Sequence, residues 1–263
     1  MTATLNDTQR QIQELARDFA RENLAPHAAR WDAEKHFPRD VIQKLAELGF
    51  FGMLIPEEYD GLGLDTVTYL LALEEIAAGD GSTAISMGVH NSLPTQMLLR
   101  NGSEAQKERW LKPMARGELL GAFALSESES GSDAASLRAQ AVPAGDGWVL
   151  NGAKAWVTNG GTAGVVVAMV RTDREGDRRG AHGISAFIVP TDAPGYLVGK
   201  PEDKMGLRAS NTTSVFFQDL KLSADHLLGE EGKGFTQVTQ GFDFSRVLIA
   251  LQCVAAAQAS LDE

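Results

Sequence analysis

The spacing of apolar residues changes twice along this chain of 263 residues, and that change most constrains its fold. From residue 7 to about 117, apolar side chains recur at helical spacing, as in Ile12, Ala16 and Phe19. From about 121 to 222, short runs of β-forming residues are separated by glycine-containing turn signals. Helical spacing then returns and continues to the end of the sequence. The pattern predicts three successive regions.

We therefore expect an α+β protein. It has an N-terminal all-α domain at 1–120, a middle antiparallel β domain at 121–230 and the start of a C-terminal helical bundle at 231–263. Antiparallel pairing is expected because no connection between the strands contains a helix long enough for a parallel crossover. Pro26 is expected to stop the first helix. The last helical pattern reaches Glu263 without a cap, and we expect it to continue beyond that residue.

Composition narrows the possible partners. The formal net charge is −11 and no block of basic residues offsets it, which argues against nucleic acid and anionic membranes. The single cysteine, Cys253, excludes an internal disulfide. No apolar signal segment opens the sequence, and runs such as 165–170 are too short to span a bilayer. We expect a cytoplasmic protein without membrane insertion.

Common nucleotide-binding and catalytic signatures are absent from the sequence. There is no G-x-G-x-x-G after a strand, no P-loop and no G-x-S-x-G. No metal site is expected, because the histidines lack partners at ligand spacing and are expected at the surface or in loops. They are His27, His36, His90, His182 and His226. Catalysis by this chain would require a bound cofactor.

The segment 122–133 is one candidate site. A strand runs into a turn rich in hydroxyl and acidic side chains. Gly131 allows the backbone to approach a bulky anion, and the hydroxyls of Ser130 and Ser132 can donate to phosphate oxygens. On composition alone, a polar loop without a ligand is the favoured interpretation of this segment.

The segment 151–161 is the second candidate. Trp156 and Thr158 are two residues apart in a predicted strand and share one of its faces. An aromatic surface beside a hydroxyl suits a flat heteroaromatic ring with an acceptor at its edge. The alternative is a core tryptophan with a surface threonine.

Together and in this order, the two segments resemble the acyl-CoA dehydrogenase family. The first carries Ala-Leu-Ser-Glu-x-x-Ser-Gly-Ser-Asp at 124–133, and the second carries Asn-Gly-x-Lys-x-Trp-Val-Thr-Asn at 151–159. Segments 204–210 and 229–235 are also similar to that family, so the resemblance covers the whole chain. It implies FAD as cofactor and α,β-dehydrogenation of an acyl-CoA thioester to the trans-2-enoyl-CoA. It further implies an electron-transferring flavoprotein as partner and a homodimer or homotetramer.

The resemblance also assigns the flavin contacts. Ser126 and the Leu125 backbone face the pyrimidine edge, Trp156 covers the benzenoid end and Thr158 donates to N5. Ser132 holds the pyrophosphate and lies near the CoA. The complete set of flavin-binding residues implied is Phe123, Leu125, Ser126, Gly131, Ser132, Trp156, Val157 and Thr158.

Substrate contacts are implied in the last helix as well as at Ser132. They are Asp243, Phe244, Ser245 and Arg246, with Arg246 near the thioester in a supporting catalytic role. Ser245 stands where some family members carry the catalytic carboxylate, and a hydroxyl is no base without an activating partner. The base is therefore expected beyond Glu263, and this chain alone is expected to be inactive.

Other functions remain compatible with the same segments. An acyl-CoA oxidase or a flavin monooxygenase would differ by letting oxygen reach the reduced flavin. A chain that only binds flavin or CoA would need no base. Ser128 and Glu129 replace the Pro/Gly-type residues common in the first segment, and the length or branching of the acyl group stays open.

Overall fold

A computed structural model describes residues 4–173 and 180–262. Its α-helices are α1 Asp7–Phe19, α2 Ala25–Glu34, α3 Arg39–Glu47, α4 Thr66–Gly79, α5 Gly81–Asn101, α6 Glu104–Gln106, α7 Lys112–Ala115 and α8 Gly234–Asp262. Its strands are β1 Gly121–Ala124, β2 Gln140–Ala144, β3 Gly147–Thr158, β4 Val165–Arg171, β5 Ile184–Pro190, β6 Tyr196–Pro201, β7 Thr212–Ser223 and β8 Leu227–Leu228. The order confirms an N-terminal helical region, a middle β region and the start of C-terminal helices.

The helical region is built around α4 and α5. Asp65 and Asp80 cap these two helices, since their carboxylates accept the N–H groups of Thr68 and Thr83 at 3.0 and 2.8 Å. Helix α1 packs on α4, and α8 lies across both α4 and α5. Their apolar faces form one buried cluster that includes Tyr69.

The prediction that Pro26 stops the first helix is wrong. The helix passes through a π-helical turn, Ala20–Leu24, and continues as α2 to Glu34. Pro26 lies in the first turn of α2, where a missing N–H costs little because the widened π turn has already disrupted the hydrogen-bond ladder. The helix ends at Lys35, whose φ of 54° is left-handed.

Within the described residues, the β region is one eight-stranded sheet. Its strand order is β6-β7-β3-β2-β4-β5-β8, and β1 pairs with β4 off this path. Most neighbours are antiparallel, as predicted. However, β1 and β4 are parallel, with Gly121 opposite Val165 and Ala124 opposite Ala168. The expectation of purely antiparallel pairing is wrong here because β2 and β3, rather than a helix, form the crossover between them.

Strand β4 is buried on both faces. Val165, Val167 and Met169 join the cluster on the α5 side, and the alternating residues join the cluster on the β3 and β7 side. A continuous apolar run suits a strand covered on both faces. The sheet is thereby fixed against α5.

His90 joins the helices to the sheet. It lies in α5 and is fully buried, and its Nδ1 accepts the Gly121 N–H at 2.8 Å. Nε2 then carries the ring proton and donates to the Phe51 carbonyl at 3.1 Å. The expectation of surface or loop histidines is therefore wrong for His90. Helical periodicity does not distinguish a satisfied buried imidazole from an exposed one. His226 is also buried, but it lies, as expected, in a connecting turn, Ala224–His226.

One helix in the described part of the chain is long and apolar enough to cross a membrane. This is α8, Gly234–Asp262, whose apolar window has a mean hydropathy of 1.4. The sequence pattern did not indicate it, because Asp243 and Arg246 interrupt the apolar run. A single helix of this kind is weak support for a membrane span, because core helices have the same composition. In this structure α8 packs through Leu248 and Ala255 against other helices.

Candidate functional site

An open cleft of about 210 Å³ lies where β1 and β3 meet α5 and α8. Its lining consists of Val89, Leu93, Phe123, Leu125, Ser126, Ala155, Trp156, Thr158 and Phe242. The walls are mainly apolar, with hydroxyls and one indole at the mouth. In the described residues no carboxylate and no histidine line it.

A β-bulge in β3 turns Trp156 into the cleft. The register with β7 shifts between Lys154 and Val157, so that two residues oppose one. Trp156 adopts a φ of 59°, which is strained for a bulky side chain. Its side chain is 61% exposed, although tryptophan normally buries a large area. Strain and exposure together indicate a residue held for a ligand rather than for packing.

Two hydroxyls beside this indole have no partner in the protein. Within 4–173 and 180–262, neither Ser126 Oγ nor Thr158 Oγ1 makes a hydrogen bond. The Ser126 backbone is nevertheless fixed, because its carbonyl accepts the Ala155 N–H at 2.8 Å. The two hydroxyls are thus available to a ligand between them.

The loop after β1 offers free backbone donors. In the described part of the chain, the N–H groups of Gly131, Ser132 and Asp133 donate to no protein atom. A Cβ at Gly131 would contact nothing within 4 Å, so the tip opens onto free space. Ser130 is buried and donates to the Asp133 carbonyl at 2.8 Å, which braces the tip. Successive free amides of this kind suit an anion such as phosphate.

Glu129, which stands where the family commonly has a Pro/Gly-type residue, is paired with a cation of the same protein. Glu129 forms an exposed ion pair with Arg138, with a nitrogen–oxygen distance of 2.9 Å. The pair contributes little to stability because both groups are solvated.

A buried ion pair lies directly behind the cleft. Lys154 Nζ contacts Glu127 Oε1 at 2.7 Å and the Leu125 carbonyl at 3.0 Å, and the lysine side chain is 0% exposed. Burial lowers the pKa of Lys154 to about 8, against the opposing attraction of Glu127. Sequence analysis did not single out either residue, although both lie inside the quoted motifs.

The structure separates the proposed flavin contacts into two groups. Phe123, Leu125, Ser126, Trp156 and Thr158 line the cleft. Gly131 and Ser132 lie outside it on the loop tip. The side chain of Val157 is buried in the sheet, so only its backbone is available to a ligand.

Phe242 also lines the cleft, although it is not among the proposed site residues. It meets Phe123 edge to face, with ring centroids 6.5 Å apart, and closes the side formed by α8. Val89, Leu93 and Ala155 were missed. None of them has a sequence signal of its own, because each reaches the cleft through helix or strand packing.

The four proposed substrate residues of α8 do not line the cleft. Asp243 and Arg246 are exposed and 4.0 Å apart, and Arg246 Nε donates to the Phe242 carbonyl. Phe244 packs on Tyr69, with ring centroids 6.4 Å apart. Ser245 Oγ donates to the Phe242 carbonyl at 3.4 Å. Their substrate role stays a prediction.

Other concavities carry none of these features. A groove of about 600 Å³ lies between α1, α4 and the end of α8, and it contains none of the predicted site residues. Among the described residues, no group of three histidine, cysteine or acidic side chains could hold a metal ion. The cleft at Trp156 is therefore the candidate site.

Comparisons with known proteins agree with this geometry. A family model for the acyl-CoA dehydrogenase N-terminal domain matches residues 6–118, and one for the middle domain matches 122–220. The rat mitochondrial short-chain specific acyl-CoA dehydrogenase is 45% identical over 258 residues, which cover 98% of this chain and 62% of the relative. The probable acyl-CoA dehydrogenase YngJ of Bacillus subtilis is 42% identical, covering 100% of this chain and 68% of the relative.

Solved structures give the same result. Butyryl-CoA dehydrogenase from Megasphaera elsdenii has a TM-score of 0.96 at 38% identity, covering 100% of this chain and 69% of that one. A chain from the structure described as the electron transferring flavoprotein of Acidaminococcus fermentans also has a TM-score of 0.96 at 38% identity, covering 100% and 68%. PigA, solved with FAD and proline, has a TM-score of 0.92 at 26% identity, covering 100% and 68%. The chain spans about 62% of the length of its rat relative, and it belongs to the acyl-CoA dehydrogenase family.

Proposed function

We propose that this chain supplies the flavin-binding part of an FAD-dependent acyl-CoA dehydrogenase, which converts an acyl-CoA thioester to the trans-2-enoyl-CoA. The observation that carries this proposal is the strained, exposed Trp156 beside the hydroxyls of Ser126 and Thr158, which have no hydrogen-bond partner among the described residues. An indole face and two donors suit a flat ring with acceptors at its edge. The solved relative PigA contains FAD.

The residues present fit FAD in both of its parts. Trp156 would cover the ring system, with Thr158 donating near N5 and Ser126 near the pyrimidine edge. The free amides of Gly131 and Ser132 would hold the pyrophosphate, for which they are suited as donors.

The chemistry divides between cofactor and protein. FAD, when bound, accepts the hydride that leaves the β-carbon of the acyl group. Ser126 and Thr158 would donate to the edge of the ring and stabilise negative charge there. Phe123, Leu93 and Phe242 give this part of the cleft an apolar wall.

The base that removes the α-proton is proposed to lie beyond Glu263. No carboxylate lines the cleft in the described residues, and Ser245 has no activating partner there. Arg246 is proposed to orient the base near the thioester, and Asp243, Phe244 and Ser245 to contact the acyl-CoA.

The remaining assignments belong to the same proposal. They are the domain division at 1–120, 121–230 and 231–263, a homodimer or homotetramer, and electron transfer to an electron-transferring flavoprotein. The similarity to a chain from the Acidaminococcus fermentans structure supports the last of these.

FAD titration of the purified chain tests the proposal. We expect saturable binding of one FAD per chain, measured by flavin fluorescence. Thr158→Val keeps the side-chain shape but removes the hydroxyl, and it should weaken binding about fivefold, the equivalent of about 1 kcal/mol for one hydrogen bond. Thr158→Ser should bind as the unmodified chain does. A chain that binds no FAD, or a valine variant that binds equally well, refutes the assignment.

Oxygen reactivity separates the dehydrogenase from the oxidase and monooxygenase. The flavin is reduced chemically without air and then mixed with air-saturated buffer in a stopped-flow instrument. Slow return of the oxidised spectrum is expected for a dehydrogenase. Rapid oxygen consumption would favour either alternative.

A further inference from the structure

The segment between β1 and β2 is a loop closed at its base by one carboxylate. Glu127 Oε2 accepts the N–H of Arg138 at 2.7 Å, and Oε1 accepts the N–H of Ala139 at 3.0 Å. The Glu127 backbone also exchanges two hydrogen bonds with Ser130. Glu127 is thus joined to residues 11 and 12 positions further along the chain. The amides of the loop tip project from this fixed base.

Lys154 attaches this base to β3. Its ammonium contacts Glu127 Oε1 and the Leu125 carbonyl, while the next residue, Ala155, donates its N–H to the Ser126 carbonyl. Three consecutive loop residues are therefore each held by β3. Lys154 also precedes Trp156 by two residues in β3.

Neither charge lines the cleft or reaches the loop tip. Burying two charges is costly, and a buried ion pair is often no more stabilising than apolar residues of the same volume. The pair instead fixes the geometry of the loop base, because both oxygens of the Glu127 carboxylate accept hydrogen bonds from N–H donors. A hydrophobic pair could fill the space but could not hold the two backbone amides.

We propose that Glu127 and Lys154 are positioning residues: together they hold Ser126 against the ring of the flavin and the loop-tip amides against its pyrophosphate. This inference rests on the proposed function. It assigns to the pair a role in cofactor binding and in the reduction potential of the bound flavin, in addition to its place in the fold.

Substitution of each partner provides the test. Glu127→Gln keeps the shape of the side chain, but its amide nitrogen faces a backbone N–H in either orientation, so one hydrogen bond of the loop base is lost. Lys154→Met keeps the aliphatic stem and removes the ammonium. Glu75→Gln is the matched control, since Glu75 pairs with Arg17 at 2.6 Å between α1 and α4 and does not touch the loop.

The FAD dissociation constant, the midpoint potential of the FAD-saturated protein and the melting temperature are measured for each variant. Glu127→Gln and Lys154→Met should each bind FAD at least about tenfold more weakly, the usual scale for a group that orients a ligand contact. At saturating FAD, both should have a more negative midpoint potential, because Ser126 no longer aligns with the reduced ring. The double variant should lose less than the sum of the two single variants, since the charges are removed together.

The outcomes are distinguishable. If the unmodified chain binds no FAD, the proposed function fails. If it binds FAD and both variants match it in affinity and potential, the positioning role is refuted and the proposed function stands. The role is refuted also if the variants lose melting temperature but keep the midpoint potential when saturated, because the pair is then only structural.

Discussion

The conformation of Trp156 lowers the stability of the chain but suits the binding of a ligand. Its positive φ costs about 1 kcal/mol or more for any side chain with a Cβ, and its exposed indole recovers little of that by packing. A glycine at this position would relieve the strain. The residue is therefore suboptimal for the isolated chain and suited to a ring stacked upon it.

Two variants at Trp156 separate these effects. Trp156→Gly and Trp156→Ala should both weaken FAD binding by about tenfold, because the aromatic contact is lost. Trp156→Gly should be more stable than Trp156→Ala by about 1 kcal/mol in urea unfolding, because only alanine keeps the strained Cβ. Trp156→Phe is the control that retains stacking. Equal stability of the glycine and alanine variants contradicts the strain, and unchanged FAD affinity contradicts the contact.

At the residue scale, the two main motif segments, 122–133 and 151–161, could be recognised from the sequence alone. Trp156 and Thr158 reach one cleft because alternation resumes immediately after the bulge. The bulge itself was not predicted, since Ala155 carries no turn signal. Lys154 was not singled out as a buried ion, because its partner is 27 positions away and lysine is normally exposed.

At the scale of elements, α5 carries the connection between the helices and the sheet. Besides the two bonds of His90, Asn159 Nδ2 donates to the carbonyls of Ser86 in α5 and Gly121 in β1 at 3.0 and 3.2 Å. These contacts give hydrogen-bond partners to buried polar groups that an apolar interface would leave without any. The position of β1 depends on them.

His90 makes this connection sensitive to acid. Burial lowers its pKa to about 4, and only the neutral ring can accept the Gly121 N–H. In the unfolded chain the ring titrates near its ordinary pKa of about 6.5, so between these values the unfolded state binds more protons. Stability contributed by His90 is therefore complete above about pH 6.5 and is lost as the pH falls toward 4, by about 3 kcal/mol.

The measurement is the free energy of unfolding in urea at several pH values from 4 to 7. His90→Gln retains one donor and one acceptor but does not titrate, so its stability should fall less steeply with acid than that of the unmodified chain. Equal slopes for the unmodified chain and His90→Gln contradict this account.

Elements were predicted where their pattern is local and missed where it is not. A few residues of sequence suffice to recognise the helical periodicity of α1, α3 and α4 and the apolar run of β4. The π turn before Pro26 was missed because an inserted residue changes the hydrogen-bond ladder without changing composition. The parallel pairing of β1 with β4 was missed because it joins strands separated by a complete hairpin.

At the scale of the whole molecule, five of the proposed flavin contacts meet in the cleft, whereas the loop-tip residues Gly131 and Ser132 and the proposed substrate contacts of α8 lie outside it. The cleft is complete on its loop, β3 and α5 sides, and Phe242 is the contribution of α8. Sequence similarity alone placed all these residues in one site. The difference arises because cleft geometry depends on packing across distant segments, whereas a motif records only residue order.

This separation leads to a prediction for the chain as it stands. It should bind FAD but show no loss of the oxidised flavin spectrum on anaerobic mixing with butyryl-CoA or longer acyl-CoA thioesters. The physical reason is that removal of the weakly acidic α-proton needs a base, and in the described residues no carboxylate or imidazole lines the cleft. Chemical reduction in a parallel sample is the control, because it shows that the bound flavin can be reduced. Bleaching by an acyl-CoA at any rate above that of free FAD would mean that the base lies within these 263 residues, and Asp243 would be the first carboxylate to substitute.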